Sequence, residues 1–227
     1  MRARAAFSFG STMHRVLERF YDTNDQEVKT VEQGLIALDR HWVDAGYASD
    51  QDAADARTKG EQVLAAHLAA ALEASEKRTT LAVEKMLRCP LGTFDLIGRI
   101  DRIDEHDDGT IEVIDYKSGR ASVSPEDVAS SLAMGCYQIL AAHAFPDRPI
   151  LATIVALQSG TQASASLTSD QRQEFAEDLR VLGDEILNRE FFEVEPVWIP
   201  ACLDCDFVPL CRRHAPFAEE ERRHGIG

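Results

Sequence analysis

Two aspartates and a lysine, carried by two neighbouring stretches rich in β-branched residues, are the residues most able to do chemistry. Asp101 lies in GRIDRID, residues 98–104, and Asp115 and Lys117 lie in VIDYKSG, residues 113–119. Because side chains alternate along a strand, Asp115 and Lys117 share a face. Carboxylates favour Mg²⁺ or Mn²⁺, which can hold a phosphate oxygen and activate a water that Lys117 positions. The pattern therefore predicts metal-dependent hydrolysis of a phosphodiester by in-line attack.

The length of the turn between these stretches decides whether Asp101 joins the other two residues. A two-residue turn at 108–109 would pair Asp101 with Tyr116 and send the two aspartates to opposite faces. A three-residue loop at 107–109 would pair Asp101 with Asp115, and it ends on a glycine, which suits the left-handed conformation needed there. We predict the three-residue loop. A surface hairpin with weak ion pairs is the alternative, but both aspartates interrupt runs of β-branched residues.

Hydrophobic periodicity predicts the elements that must position this hairpin. Apolar residues at helical spacing predict helices over five segments: 11–21, 27–44, 51–76, 124–145 and 169–189. Apolar runs bounded by turn residues predict strands over four segments: 80–87, 93–104, 110–117 and 150–157. This order predicts an α/β (α+β) domain with a small mixed sheet flanked by helices.

The motifs resemble the RecB-like branch of the PD-(D/E)xK nucleases, which includes the nuclease domains of RecB, AddA and AddB and the CRISPR spacer-acquisition nucleases. A third match is FGSTMHRVLERFY, residues 9–21, which looks like the family's Gly-x-x-x-His helix. The resemblance implies a restriction-endonuclease-like core and a Mg²⁺- or Mn²⁺-dependent deoxyribonuclease of the RecB-like exonuclease type, acting in recombination, DNA repair or foreign-DNA processing. It implies that Asp101, Asp115 and Lys117 are catalytic. It also implies four metal ligands: His14, Asp101, Asp115 and the backbone carbonyl of Tyr116.

The family's substrate-facing helix is only partly matched. In SLAMGCYQILAAH, residues 131–143, Tyr137 fits the tyrosine of a Gln-x-x-x-Tyr motif, but Ala133 stands where the glutamine is expected. Tyr137, the neighbouring Gln138 and Arg102 are the predicted contacts to DNA. The missing glutamine keeps a second hypothesis open, namely a nuclease-fold module that binds DNA or a helicase partner without cutting.

Three of the five cysteines lie near the end of the chain as Cys202-x2-Cys205-x5-Cys211, a spacing typical of one metal centre. The pattern resembles the C-terminal part of the family's iron–sulfur motif, which implies a 4Fe-4S cluster held by four thiolates. The family's fourth cysteine lies upstream of the histidine helix, and this chain begins too late to contain it. Three hypotheses follow. The chain is a fragment of a longer protein, or Cys89 in a turn between two strands replaces the missing ligand, or Zn²⁺ binds the three cysteines with His214.

The charge balance bears on the partner. A net charge of −15, from 24 basic and 39 acidic residues, by itself argues against nucleic acid. However, residues 22–61 and 170–195 carry 12 of the 15 net negative charges, and both segments are predicted to be solvated helices. We therefore predict DNA as the partner, bound weakly by the isolated chain and supported by a helicase or another recombination or CRISPR subunit.

Neither a membrane span nor a signal peptide is recognisable, because no run approaches 18 apolar residues and the first ten residues lack an apolar stretch. The sequence therefore predicts a cytoplasmic protein without a membrane partner. It also predicts three parts. An N-terminal helical region at 1–78 carries the metal-ligand His14, a PD-(D/E)xK nuclease core spans 79–199, and a cysteine-rich metal-binding tail spans 200–227.

Overall fold

The computed structural model describes residues 4–25, 27–74, 78–189 and 195–224. These residues form two compact units, a large one that ends at Arg180 and a small one that begins at Val181. The large unit is an α+β fold with a five-stranded mixed sheet and flanking helices, as predicted. Within the described residues, no helix combines the length and the apolar character that crossing a bilayer requires.

Three helices precede the sheet: α1 at Ala5–Tyr21, α2 at Val31–His41 and α3 at Asp50–Glu73. α1 buries Met13, Val16 and Leu17, which recur at helical spacing. Thr30 and Ser49 cap α2 and α3, because each side chain accepts a hydrogen bond from a backbone N–H in the first turn. The buried residues of these helices pack on one face of the sheet.

The strands are β1 at Arg78–Leu91, β2 at Phe94–His106, β3 at Ile111–Lys117, β4 at Ile150–Ala156 and β5 at Thr161–Ala165. They lie side by side in this order, with β3 and β4 parallel and every other neighbouring pair antiparallel. The sequence pattern misses β5, because this edge strand buries only Ala163. The predicted turn at Cys89 is wrong. Cys89 and Pro90 lie within β1, an edge strand in which proline is tolerated.

The loop between β2 and β3 has the predicted three residues, 107–109. The residues that flank it are joined by a backbone hydrogen bond of 2.9 Å, and its last residue, Gly109, has a φ of +87°. The prediction of loop length is therefore confirmed. Continuing the observed register of the two strands places Asp101 opposite Asp115.

The other face of the sheet is covered by α4 at Pro125–Ala129, α5 at Leu132–Ala144 and the first part of α6 at Ser169–Asn188. The sequence predicts one helix over 124–145, but the chain forms two. Ser130 ends α4, and the Ser131 side chain caps α5 by accepting the Met134 amide. On β3, Val113 packs on this side and Ile114 on the side of α1, so both faces of the strand are buried.

The small unit contains a 3-10 turn at Pro200–Asp204, α7 at Val208–Cys211 and α8 at Ala215–Arg223. Phe217 is its most deeply buried large side chain among the residues described. The Arg212 guanidinium donates two hydrogen bonds of 2.8 Å to the Glu221 carboxylate and so joins the segments around α7 and α8.

Candidate active site

The candidate site lies where β2 and β3 separate. Their pairing runs as far as Arg102 and Ile114. Because hydrogen-bonded pairs alternate in an antiparallel ladder, the Tyr116 amide is the next donor due to bond across to β2. It donates instead to the Asp101 carboxylate, with 2.8 Å between N and Oδ2. The aspartate side chain thus takes the place of a backbone carbonyl and opens a fork between the strands.

Glu84 on β1 brings a second carboxylate to the fork. The residues on either side of it pair with Arg102 and Ile100 on β2, so Glu84 lies opposite Asp101. Its backbone is left-handed, with a φ of +46°, a conformation that is strained for a residue other than glycine. This local irregularity in β1 directs the Glu84 carboxylate towards the site.

His14 reaches the fork from α1, which is anchored by its buried apolar residues. Its Nε2 atom lies 3.0 Å from the Tyr116 carbonyl oxygen, and because a carbonyl only accepts, Nε2 must carry the donated proton. Nδ1 therefore faces the carboxylates, 3.5 Å from Asp101 Oδ1 and 3.8 Å from Glu84 Oε1. A backbone carbonyl that fixes a histidine tautomer in this way is a common support for a metal ligand.

A divalent cation fits the atoms that meet at the fork. Ligand atoms of His14, Glu84 and Asp101 all lie within 4.8 Å of one another. Burial, followed by the charge of Asp101, raises the pKa of the Glu84 carboxyl. Burial alone would lower the pKa of His14, but Asp101 and Glu84 raise it above its ordinary value. Crowded carboxylates beside an imidazole are a donor set that a divalent cation would neutralise.

Asp115 and Lys117 complete the site on β3. Burial raises the pKa of the Asp115 carboxyl, and Lys117 offsets this only in part. Asp115 Oδ2 lies 2.8 Å from Lys117 Nζ but makes no well-formed hydrogen bond within the described residues. The Lys117 side chain is 41% exposed. It lines a cleft of about 630 Å³, together with His14, Glu84 and Asp115.

Gly10 explains how α1 approaches the cleft so closely. A Cβ atom at this position would lie 3.1 Å from the Ser118 side-chain oxygen, closer than most real contacts. The glycine therefore lets the helix that carries His14 pack near the segment that follows Lys117. The Gly-x-x-x-His spacing places this contact one helical turn before the histidine.

Comparison with known families agrees with this geometry. The family model described as the PD-(D/E)XK nuclease superfamily matches residues 2–212. The chain belongs to this superfamily. A search of curated proteins finds no match to the chain. Membership indicates metal-dependent nuclease activity. In this chain, Asp101, Asp115 and Lys117 at the fork form the D…D-x-K pattern.

The structure places the three predicted substrate contacts differently. Tyr137 is half-buried on α5, and burial, followed by the charges of Asp115 and Asp101, raises its pKa to about 12. Gln138 is 2% exposed, and its side-chain oxygen accepts the Leu167 amide at 2.7 Å. This environment does not favour the predicted contact of Gln138 with substrate, because its helical position directs the side chain into the protein.

Arg102 is the second predicted substrate contact that the structure buries. It is 4% exposed, and its guanidinium is bound to Asp104 on the same strand rather than offered to solvent. A phosphate could reach it only by displacing that buried carboxylate. The Tyr116 carbonyl oxygen, the fourth predicted metal ligand, accepts a hydrogen bond from His14 Nε2.

The predicted set of site residues leaves out Glu84 and three cleft-lining arginines, Arg15, Arg99 and Arg120, although the sequence offers Glu84 as a candidate supporting carboxylate and Arg99 as a candidate phosphate contact. The signal for Glu84 was its distance from the turn, since Glu84 and Asp101 are equidistant from the β1–β2 connection. Arg15 follows His14 directly and has no ion pair within the described part of the chain. Arg99 pairs with Glu84 over 3.0 Å, and Arg120 pairs with Asp127 over 3.1 Å.

The cysteine segment belongs to the small unit. Cys202 and Cys211 are partly exposed, Cys205 is exposed, and all three are free thiols. Across the described residues, their sulfurs do not form a group of ligand atoms within 4.8 Å of one another. Cys202 Sγ instead accepts the Ile199 amide at 3.5 Å. Among the described residues, these cysteines therefore do not form a closed four-ligand set for iron–sulfur or zinc.

Proposed function

We propose that the protein is a Mg²⁺- or Mn²⁺-dependent deoxyribonuclease of the RecB-like exonuclease type, which hydrolyses DNA in recombination, repair or foreign-DNA processing. The observation that supports this most directly is the meeting of His14, Glu84 and Asp101 ligand atoms beside the Asp115–Lys117 pair. The superfamily match supports the same reaction class. The proposal assigns the helical region at 1–78 and the core at 79–199 to one catalytic machinery.

In this mechanism, His14 Nδ1 and the carboxylates of Glu84, Asp101 and Asp115 would hold the cation. When bound, the cation supplies charge neutralisation at the phosphate and a more acidic water. The Lys117 ammonium, oriented by Asp115, donates hydrogen bonds to the attacking water and to a phosphate oxygen. As the new P–O bond forms, the bond to the leaving oxygen breaks. The attacking water gives up a proton to solvent, and the leaving oxygen takes up a proton from solvent.

The cleft supplies phosphate contacts in place of the buried Arg102. Arg15, Arg99 and Arg120 line it and present guanidinium groups, which suit phosphate oxygens. Tyr137, whose position on α5 matches the family's tyrosine, is proposed to contact the strand near the scissile bond. The excess negative charge of the chain would weaken its hold on DNA, so we also propose that a helicase or another recombination or CRISPR subunit in the cytoplasm delivers the substrate.

A cleavage assay with end-labelled single-stranded and duplex DNA tests the function. We expect degradation that needs Mg²⁺ or Mn²⁺ and is lost in Lys117→Ala. Arg40→Ala is the matched control, because it removes a positive charge from α2, outside the cleft lining. Binding of DNA without cleavage under metal-replete conditions would instead favour the non-cleaving module, and cleavage that survives in Lys117→Ala would contradict the site.

For the tail at 200–227, we propose that Cys202, Cys205 and Cys211 supply thiolates to a 4Fe-4S cluster or, as the alternative, to Zn²⁺ with a further ligand. The support is their spacing in the sequence. Anaerobic purification followed by iron, sulfide and zinc analysis distinguishes the two metals. A protein with neither metal in stoichiometric amount would refute both.

A further inference from the structure

Tyr116, the residue between Asp115 and Lys117, ties two candidate metal ligands to its own backbone. Its N–H donates to Asp101 Oδ2 over 2.8 Å, and its carbonyl oxygen accepts from His14 Nε2 over 3.0 Å. A displacement of this one residue would therefore move both ligands with it. On the β4 side, Tyr116 is paired with Val155, but on the β2 side the observed pairing ends at Ile114, so the ladder leaves Tyr116 without a backbone partner towards β2.

The Tyr116 side chain provides an anchor in addition to the ladder with β4. Its ring is buried on the side of the sheet opposite Asp115, between the rings of Tyr21 and His67, with centroid distances of 6.3 Å and 5.8 Å. The hydroxyl oxygen accepts a hydrogen bond from Arg102 Nη1 at 3.1 Å. Two aromatic contacts limit the tilt of the ring, and the hydrogen bond fixes how far it reaches into the core.

Arg102 is itself held rigidly enough to serve as that anchor. Its Nε donates to Asp104 Oδ1 over 2.7 Å, and a second N–H of the same guanidinium bonds to Oδ2. Its flat face lies over the Tyr21 ring, 3.6 Å from the centroid. Asp104 is fully buried and also accepts the Thr80 hydroxyl at 2.9 Å. A planar guanidinium that is held at two edges and one face has little freedom to move. A lysine side chain would not reproduce this constraint.

We propose that Arg102 is a positioning residue for the metal site, acting through Tyr116. The route runs from Asp104 to the Arg102 guanidinium, to the Tyr116 hydroxyl, and through the Tyr116 backbone to Asp101 and His14. The inference rests on the function proposed above, because it concerns the same cation. It gives the buried arginine of GRIDRID a role that does not require contact with DNA.

A purely structural role for Arg102 makes a different prediction from a positioning role. If the arginine only filled the core, weakening its bonds would lower stability and leave the metal affinity of the folded protein unchanged. If it positions the ligands, the metal affinity must fall more than a comparable loss of stability elsewhere in the sheet would cause. Metal binding can be measured without DNA, so this comparison does not depend on turnover.

The decisive variant is Tyr116→Phe, which keeps the ring and removes only the acceptor for Arg102. We expect the affinity of the whole protein for Mn²⁺, measured by calorimetry and electron paramagnetic resonance, to fall about tenfold. Loss of a residue that supports a metal ligand typically has an effect of this size. The apparent KM for Mn²⁺ should rise by a similar factor while kcat at saturating Mn²⁺ changes less.

Thr153→Val is the matched control. Thr153 on β4 is 2% exposed, and its hydroxyl bonds to Glu112 in the same sheet without touching Tyr116 or the ligands. We expect this variant to lose stability and keep wild-type Mn²⁺ affinity. Should Tyr116→Phe fail to fold, Tyr21→Leu, which removes the ring beneath the guanidinium, is measured in the same way and should also weaken Mn²⁺ binding.

The outcomes separate this inference from the proposed function. Wild-type Mn²⁺ affinity in the folded Tyr116→Phe variant, or an equal loss in Thr153→Val, would overturn the positioning role while leaving the nuclease proposal standing. Failure of the wild-type protein to bind Mn²⁺ would overturn both. A selective loss in the Tyr116 variant supports the route from Arg102 to the ligands.

Discussion

The two sides of the β2–β3 fork balance their charges in different ways. On the closed side, defined by Arg102 and Asp104, both charged groups are at most 4% exposed and are paired with each other by fixed guanidinium–carboxylate bonds. On the open side, defined by His14, Glu84, Asp101 and Asp115, the balancing groups are a titratable imidazole, the 65% exposed Arg99 and Lys117. The closed side is a permanent scaffold, whereas the charge balance of the open side is exchangeable, as a cation-binding site requires.

The largest expected effect is on activity, from Asp101→Asn on the open side. We expect the rate of DNA cleavage to fall by at least about 10³-fold, because a charged metal ligand is lost. The metal-free protein should lose less than about 1 kcal/mol of unfolding free energy, because the asparagine oxygen can still accept the Tyr116 amide. Cleavage rates and urea unfolding check the two halves. A large loss of stability would mean that the two sides are not separable.

The next effect is on stability, from Asp104→Ala on the closed side. Removing this carboxylate leaves the buried Arg102 charge without its main partner, which should cost about 3–5 kcal/mol of unfolding free energy. Glu84→Ala on the open side is the paired variant, and it should cost far less because it relieves repulsion with Asp101. Urea denaturation of both metal-free proteins measures the difference. Equal costs would remove the distinction drawn between the two sides.

A pH effect should follow from His67 on α3, whose Nε2 lies 3.2 Å from the Tyr21 hydroxyl. Burial, with the charges of Arg102 and Arg78, lowers its pKa to about 4. The unfolded chain therefore takes up this proton first as pH falls. The contribution to stability is complete above about pH 6.5 and is lost towards pH 4, amounting to at most about 3 kcal/mol. His67→Gln should flatten this decline in pH-dependent unfolding curves, and an unchanged slope would contradict it.

The smallest expected effect concerns Arg15 at the rim of the open side. Arg15→Ala should weaken DNA binding several-fold and reduce the salt dependence of log K by about one phosphate contact. Arg40→Ala removes the same charge from α2 and should leave the slope unchanged. Fluorescence anisotropy across a salt series, with the Lys117→Ala background to prevent cleavage, distinguishes them. Identical slopes in the two variants would show that Arg15 acts only through the net charge.

The parts of the site that could be predicted depend on strict local rules. Loop 107–109 sets the register of β2 and β3, and the two-residue period of a strand then determines which faces Asp101 and Asp115 occupy. The helical spacing around His14 likewise predicts which side of α1 is buried. In both cases a short stretch of sequence determines the local geometry, and the packing of distant elements does not override it.

The parts that could not be predicted depend on tertiary contacts. The sequence predicts an exposed Arg102, because arginine is rarely buried. Only the positions of Asp104 and Tyr21 in the structure explain its burial. Glu84 enters the site through a left-handed backbone that no propensity indicates. The sequence pattern also does not predict the break between α4 and α5 at Ser130, because both flanking segments form helices.

The length of the three-residue loop at 107–109 should be under selection, although the loop lies away from the cleft. Gain or loss of a single residue there would slide β3 by one position and exchange the residues of its two buried faces, moving Asp115 to the side of Ile114. Most substitutions in the loop should be neutral apart from those at Gly109, whose φ of +87° favours glycine. We therefore expect homologues to differ in the residue types of this loop but to keep its length. Insertions and deletions there should be selected against more strongly than substitutions.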